Sequence, residues 1–235
     1  IRSIDMYGHD PRYPVTDGWP KLVEHLIASL EQYPGPVILV GHSMAGLRLP
    51  TFARRNPAKV AGIVLADPTV PHIAPEGLSV TLQEESFWGA LASSVGLLKP
   101  FATANGDRMG LPPAAKAEKK HAFASGAHNR NAYAEVSVWN LSGQQLIAAG
   151  PLNPNLPVSV VTAGAARAPE LQALRTAPAT ESKHGYFRNV DGAEHRTLLG
   201  LEYGREVIEG IARVRAAVPG APPAVATAPQ DRPKA

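Results

Sequence analysis

Ser43 is the residue of this chain whose type and surroundings most strongly suggest chemistry. It lies in the run Gly-His-Ser-Met-Ala-Gly from Gly41 to Gly46, directly after the apolar segment Val37–Val40. A serine on a tight turn between a strand and a helix projects its hydroxyl above the sheet, where only small neighbouring side chains fit. The first N–H groups of the following helix point to the same place, and the Met44 N–H is the natural first donor to an oxyanion. The pattern predicts a nucleophile.

The run departs at one position from the Gly-x-Ser-x-Gly pattern of such turns. Ala45 stands at the last position, but alanine is the smallest substitute for glycine and Gly46 follows directly. A bare pattern of this kind arises by chance in many chains, and its place behind an apolar strand and before a helix is what makes it specific. The alternative is that Ser43 only caps a helix in a protein without catalytic activity.

A nucleophilic serine needs a base, because its hydroxyl is a weak nucleophile near neutral pH. Of the eight histidines, His195 is the best placed, since it follows the last predicted strand and precedes the terminal helix. That position brings it to the edge of the sheet where Ser43 is expected. His42 is adjacent in sequence, but because the chain reverses at the turn we expect its side chain to point away.

Two carboxylates are candidates for the acid that orients His195. Asp67 directly follows the apolar segment Val60–Ala66, at the carboxyl end of the strand after the nucleophile. Glu170 follows a later strand, as in the commonest arrangement of serine, acid and histidine, but it lies late in its loop. Because catalytic groups gather at the carboxyl ends of parallel strands, we favour Asp67 and leave Glu170 open. If it has no catalytic role, Asp67 caps the turn before Pro68.

Alternating strand and helix signals must position these groups. Short, continuously apolar runs rich in β-branched residues predict strands that are buried on both faces of a parallel sheet. Apolar residues at helical spacing predict the intervening helices. The alternation indicates an α/β fold with a doubly wound, mostly parallel sheet. The predicted strands are Ile1–Met6, Val37–Val40, Val60–Ala66, Val158–Thr162 and Tyr186–Val190, and the helices are Trp19–Tyr33, Met44–Arg55 and Leu201–Val218. In the second helix we expect a kink or an early break at Pro50.

The middle of the chain has a different pattern. Residues 72–155 contain no run typical of a buried strand, and we predict that they form a helical lid or cap. This insertion divides the sheet-containing core into residues 1–71 and 156–217. Apolar side chains of the insertion suggest a pocket for an apolar part of a substrate, although the same side chains would suit packing against the core. They include Phe87, Trp88, Leu97 and Leu98.

Composition excludes several classes of function. The chain has 235 residues, enough for a sizeable core, and no cysteine, which rules out disulfides, thiolate nucleophiles and cysteine-based metal sites. The net charge of +3 is small and scattered, so we expect no nucleic-acid partner. No apolar run reaches the ~18 residues of a membrane span. We expect no metal and no organic cofactor, predict a disordered Ala- and Pro-rich tail over 218–235, and infer no oligomeric state.

Several segments resemble the α/β-hydrolase superfamily. They are Ser-Ile-Asp-Met-Tyr-Gly-His-Asp at 3–10, the elbow at 37–46, Val-Ala-Gly-Ile-Val-Leu-Ala-Asp-Pro at 60–68, and Val-Asp-Gly-Ala-Glu-His at 190–195. The resemblance implies a serine hydrolase that cleaves an ester-type bond through Ser43, His195 and an acid, with an acyl-enzyme intermediate and no cofactor. Its substrate would be a small ester or acyl compound with an apolar part.

Other functions stay open within this resemblance. The fold also supports perhydrolases, C–C hydrolases and hydroxynitrile lyases, and a non-catalytic relative is the alternative from another class. The family has strands upstream of the one that begins here, and one of them ends in a loop that supplies a second oxyanion N–H. We therefore expect the sequence to be truncated relative to a longer functional chain, with that donor upstream of Ile1.

Overall fold

A computed structural model describes residues 33–71, 76–165 and 169–220, with the backbone alone given for 76–83, 105 and 106. Within these residues, four parallel strands form one sheet in the order β1-β2-β3-β4. They are β1 Val37–His42, β2 Val60–Ala66, β3 Val158–Ala163 and β4 Gly185–Val190. Each was predicted from its apolar run, with ends that differ by at most two residues. The predicted strand Ile1–Met6, the helix Trp19–Tyr33 except its last residue, and the tail beyond 220 lie outside the described residues.

Helices cover both faces of this sheet, which confirms the predicted α/β architecture. On one face, α1 (Ala45–Arg55) packs Leu49 and Phe52 against buried side chains of β2 and β3. The helix α7 (Pro169–Thr180) adds Ala179 to the same cluster. On the other face, α8 (Gly204–Ala217) contributes Val207 and Val214 to a second cluster. Burial of these apolar faces holds the strand ends, and the loops that follow them, in fixed positions.

Pro50 does not interrupt α1, which runs unbroken from Ala45 to Arg55. The expected early break was therefore wrong. A proline inside a helix removes one N–H bond and crowds the preceding turn, at a cost of ~3 kcal/mol. All residues from Gly46 to Ala53 are buried, and packing of the helix against the sheet offsets that cost.

The segment between β2 and β3 is helical, as its sequence pattern predicts. Its helices are α2 Glu76–Ser94, α3 Ala102–Asp107, α4 Pro113–Ala124, α5 Gly126–Ser137 and α6 Trp139–Ala148. The side chains of Phe87 and Tyr133 join α2 to α5, with ring centroids 5.7 Å apart. In the three described ranges, no helix combines the length and apolarity that crossing a bilayer requires. The division into core and lid stays a prediction.

Candidate active site

The backbone at Ser43 is held in an unusual conformation directly after β1. Its φ of 57° lies in the left-handed region, which costs a residue with a side chain of the order of 1–3 kcal/mol. Three hydrogen bonds maintain it. The Ser43 N–H donates to the carbonyl of Ala66 at 3.1 Å, and the Ser43 carbonyl accepts from Gly46 and Thr69, both at 2.9 Å. The turn is therefore locked onto the end of β2.

Close packing around the turn explains why small residues flank Ser43. A Cβ atom on Gly41 would lie 2.4 Å from the Cβ of Ala45, and one on Gly46 would lie 2.5 Å from the carbonyl oxygen of Thr69. The methyl group of Ala45 therefore occupies the space above Gly41. The departure from the usual glycine at position 45 is compatible with the turn because position 41 is glycine.

His195 lies between Ser43 and Asp67. Its Nε2 atom is 3.0 Å from Ser43 Oγ, and its Nδ1 atom is 2.5 Å from Asp67 Oδ2. The loop that carries His195 follows β4 and is anchored by the buried side chains of Ala193 and Leu198. The imidazole is 45% exposed, whereas the carboxyl is 2% exposed, so one end of this chain of contacts is buried and the other is open.

The Asp67 carboxyl is fixed from three directions. Its Oδ1 atom accepts a hydrogen bond from the Ala163 N–H at 2.9 Å and contacts the buried guanidinium of Arg175, while Oδ2 faces His195. Burial alone would raise the pKa of Asp67, but the bonds from His195 and Ala163 and the Arg175 charge outweigh it and hold that pKa well below its usual range. Asp67 is thus ionised near neutral pH.

Glu170, the other candidate acid, lies exposed in the first turn of α7. It is Asp67 that meets the imidazole in this structure. Arg175, on the same helix as Glu170, was missed by the sequence analysis. No local pattern in the sequence indicates its contact with Asp67, which joins two elements far apart in the chain.

His42 does not turn away from these groups as expected. Its ring centroid lies 4.3 Å from that of His195, and its Nε2–H donates to the backbone carbonyl of His195 at 2.8 Å. Burial, followed by the nearby His195, lowers the pKa of His42 to about 4, so its ring is neutral near pH 7. His42, the sequence neighbour of Ser43, therefore supports the loop that carries the His195 imidazole.

The Met44 N–H lies at the start of α1, where helix N–H groups have no partner within the helix. In the part of the chain that the structure describes, this N–H donates to no protein acceptor. Together with the positive end of the helix dipole, it can stabilise a negative charge that develops beside Ser43 Oγ.

A cavity of about 480 Å³ opens beside the imidazole, with His195 on its wall. Arg108, at the end of α3, and Arg196, next to His195, bring positive charge to it, and Glu194 and Glu202 bring negative charge. The apolar substrate pocket expected from the sequence stays a prediction, because none of the side chains named for it lines this cavity. Phe87, Trp88 and Leu97, named for that pocket, are 45%, 63% and 63% exposed, and Leu98 is half-buried. Among the described residues, no group of three or more His, Asp or Glu side chains is arranged to hold a metal ion.

Comparison with known proteins identifies a family and a fold for the chain. A family model described as "Alpha/beta hydrolase family" matches residues 1–210, and no curated protein matches the chain significantly. Solved structures similar to the chain include a proposed epoxide hydrolase from Pseudomonas aeruginosa, with 18% identity over 84% of this chain and 72% of that one, at a TM-score of 0.60.

Two further structures are similar to a comparable extent. One, from a study of carboxylesterases of Nitrososphaera gargenis, has 17% identity over 85% of this chain and 73% of the other, with a TM-score of 0.56. The second is MGS-M2, an α/β hydrolase enzyme from a Medee basin deep-sea metagenome library, with 16% identity over 82% and 71% and a TM-score of 0.55. At such identities the similarity shows the fold alone.

Proposed function

The chain belongs to the α/β-hydrolase family, and from that membership we propose that it is a serine hydrolase that cleaves an ester-type bond. Family membership supports hydrolase activity in general. The observation that carries the finer proposal is the continuous line of contacts from Ser43 Oγ through His195 to Asp67, with separations of 3.0 and 2.5 Å. These are hydrogen-bonding distances for a nucleophile, its general base and an orienting acid.

The proposed reaction begins with attack of Ser43 Oγ on the substrate carbonyl carbon. As the Oγ–C bond forms, His195 Nε2 accepts the hydroxyl proton and the Met44 N–H stabilises the carbonyl oxygen as it becomes negative. His195 then gives the proton to the leaving alcohol, which departs and leaves an acyl group on Ser43. Water, activated by the same imidazole, releases the acid and restores the serine.

Asp67 acts on this reaction through His195. Its Oδ2 accepts the Nδ1–H of the imidazole, which leaves the lone pair on Nε2 directed at Ser43. Because the low pKa of Asp67 keeps the carboxylate charged, it also stabilises the imidazolium that forms during attack. Arg175 fixes the other carboxyl oxygen and is a positioning residue in this proposal. A second oxyanion donor stays a prediction.

Covalent labelling tests the proposal directly. A fluorophosphonate probe should label the protein, and the Ser43→Ala variant should not be labelled. A panel of 4-nitrophenyl esters with acyl chains of increasing length then reports turnover and the preferred acyl size. Labelling that survives in Ser43→Ala would contradict the assignment of the nucleophile. A folded wild type that neither reacts with the probe nor hydrolyses any ester would favour a non-catalytic relative.

A further inference from the structure

The side chain of His42 connects the strand that leads to Ser43 with the loop that carries His195. His42 is the last residue of β1, where it pairs with Ala66 of β2, and Ser43 is the next residue in the chain. The Nε2–H of His42 donates to the His195 carbonyl at 2.8 Å. The two imidazole rings also lie against each other, with centroids 4.3 Å apart and planes tilted by 31°. One side chain therefore spans the distance between the strand of the proposed nucleophile and the loop of the proposed base.

The backbone carbonyl of His195 depends on this contact. In the part of the chain that the structure describes, no backbone N–H donates to it. Next to it, the loop is held by bonds within itself, since the Glu194 N–H donates to the Thr197 hydroxyl at 2.9 Å and that hydroxyl lies 3.3 Å from the Glu194 carbonyl. Such bonds preserve the shape of the loop but do not set its distance from β1. The bond from His42 does, because its donor is fixed to the end of that strand.

Proton transfer makes the position of the His195 imidazole critical. Its Nε2 atom lies 3.0 Å from Ser43 Oγ and must reach, in turn, the hydroxyl, the leaving group and the water that releases the acid. A displacement of about 1 Å between reacting groups can lower a rate by about 10²-fold. The pKa of about 4 keeps the His42 ring neutral near pH 7, so this ring adds no second positive charge beside the imidazolium that forms during attack.

We propose that His42 is a positioning residue for the general base. Its N–H fixes the backbone at His195 and its ring limits rotation of the imidazole, so that Nε2 stays directed at Ser43 Oγ. The inference rests on the proposed function, since it names a further residue on which the activity of the same site depends. His42 contacts neither the substrate nor the reacting atoms in this proposal, and its whole effect on the reaction is exerted through His195.

Variants at position 42 separate the hydrogen bond from the ring. His42→Ala removes both, and kcat/KM for 4-nitrophenyl acetate should fall by about 10²-fold. His42→Gln keeps an N–H donor at a similar reach and should recover about tenfold of that loss, whereas His42→Phe keeps a ring without a donor and should recover less. His184→Ala, at an exposed histidine, is the control and should change kcat/KM by less than about twofold. Unchanged kcat/KM in His42→Ala would overturn the proposal, and greater recovery in His42→Phe than in His42→Gln would contradict the role of the bond.

A double-mutant cycle shows whether His42 acts through His195. In the His195→Ala protein the backbone carbonyl at position 195 stays but the base is absent, so adding His42→Ala should lower the residual kcat/KM by less than about twofold. The rate of reaction with a fluorophosphonate measures the same cycle a second time, and circular dichroism verifies folding. A role of His42 in the fold alone would lower the rate equally in both backgrounds. A further loss of about 10²-fold in the His195→Ala protein would therefore overturn the proposal.

Nuclear magnetic resonance of the histidine rings separates this inference from the proposed chemistry. In protein with ¹⁵N-labelled histidine, the His42 ring should be in the neutral Nε2–H tautomer near pH 7, with its signals assigned by their loss in His42→Phe. A His42 ring that is protonated, or in the Nδ1–H tautomer, would overturn the inference even if esters are hydrolysed. The expected tautomer in a folded protein that neither hydrolyses esters nor reacts with a fluorophosphonate would support the contact and count against the serine hydrolase.

Discussion

The carboxyl edge of the sheet and the helices between β2 and β3 are built differently. Five of the six residues of β1 are partly exposed or exposed, but every residue of β3 and nearly every residue of β2 is buried. The helices α4 and α5 contain no fully buried residue, and Trp88 on α2 is 63% exposed. Asp67 and the end of β2 onto which the Ser43 turn is bonded are thus set in a dense core, whereas α4, α5 and part of α2 are packed more loosely.

This difference in packing shows which groups must be held in fixed positions. Attack on a carbonyl requires fixed positions for Ser43 and Asp67, and backbone hydrogen bonds to buried strands provide them. Recognition of a substrate tolerates, and often uses, segments of lower local stability. The two regions meet at a partly buried ion pair between Arg48 of α1 and Glu135 of α5, and at the bond from Arg54 to the Leu146 carbonyl.

The largest expected effect lies at the buried edge, in Asp67→Asn. Loss of the carboxylate removes the acceptor that selects the imidazole tautomer, and we expect kcat to fall by about 10⁴-fold. Glu170→Gln is the matched control and should change kcat by less than about twofold, as expected for an exposed side chain away from the imidazole. Steady-state kinetics on a 4-nitrophenyl ester measures both, with circular dichroism to verify folding. The reverse pattern would assign the acid to Glu170.

A pair of aromatic truncations compares the stability of the two regions. Phe52 is only 1% exposed, so Phe52→Ala leaves a cavity in the core and should cost about 3–5 kcal/mol of unfolding free energy. Trp88→Ala should cost within about 0.5 kcal/mol, because most of its surface already faces solvent. Urea unfolding measures the two costs. Similar losses for both variants would mean that Trp88 on α2 is packed as tightly as Phe52, which would contradict the difference in packing between the two regions.

The ion pair between Arg48 and Glu135 can be tested by replacing Arg48 alone or both residues together. Arg48→Met alone leaves the largely buried carboxylate of Glu135 without its closest cation, and we expect a loss of about 3 kcal/mol of unfolding free energy. Burial already raises the pKa of Glu135 against the opposing charge of Arg48, which shows how poorly the site accommodates a lone carboxylate. Arg48→Met combined with Glu135→Leu should therefore lose less than the single variant. An additive loss in the double-mutant cycle would show that the pair is uncoupled.

The last prediction concerns the effect of His42 on the stability of the fold at acidic pH. The pKa of His42 is 6.5 in an unfolded chain and about 4 in the fold, so the unfolded state takes up the proton first. Stability is therefore lost as the pH falls from 6.5 towards 4, by at most about 3 kcal/mol. His42→Gln should weaken this dependence of the urea midpoint on pH, with the exposed His184→Gln as control. An identical pH dependence in His42→Gln and wild type would contradict the neutral, packed ring.

Much of the fold and part of the site could be predicted from local sequence. The strands β2 and β3 are apolar over most of their length, and such a run specifies burial on both faces wherever it lies in the chain. The turn at Ser43 is equally local, since its conformation depends on Gly41 and Gly46 and on the flanking strand and helix. Pro50 shows where local prediction fails: proline disfavours a helix interior, but packing of α1 against the sheet stabilises an unbroken helix.

Contacts between distant residues could not be predicted in the same way. Arg175 approaches Asp67 only because α7 packs on the strands. The sequence of α7 contains no pattern that indicates this contact. His42 was misjudged for the same reason, since its orientation depends on the carbonyl of a residue far away in sequence.

By itself, the sequence determined that Ser43 stands on a strand-to-helix turn and that His195 follows the last strand, because both depend on neighbours along the chain. It left the acid undecided between two carboxylates. Only the tertiary structure brought Asp67 to His195, across 128 residues, since that contact depends on which strand ends lie side by side in the sheet and on a buried guanidinium that holds the carboxyl in place.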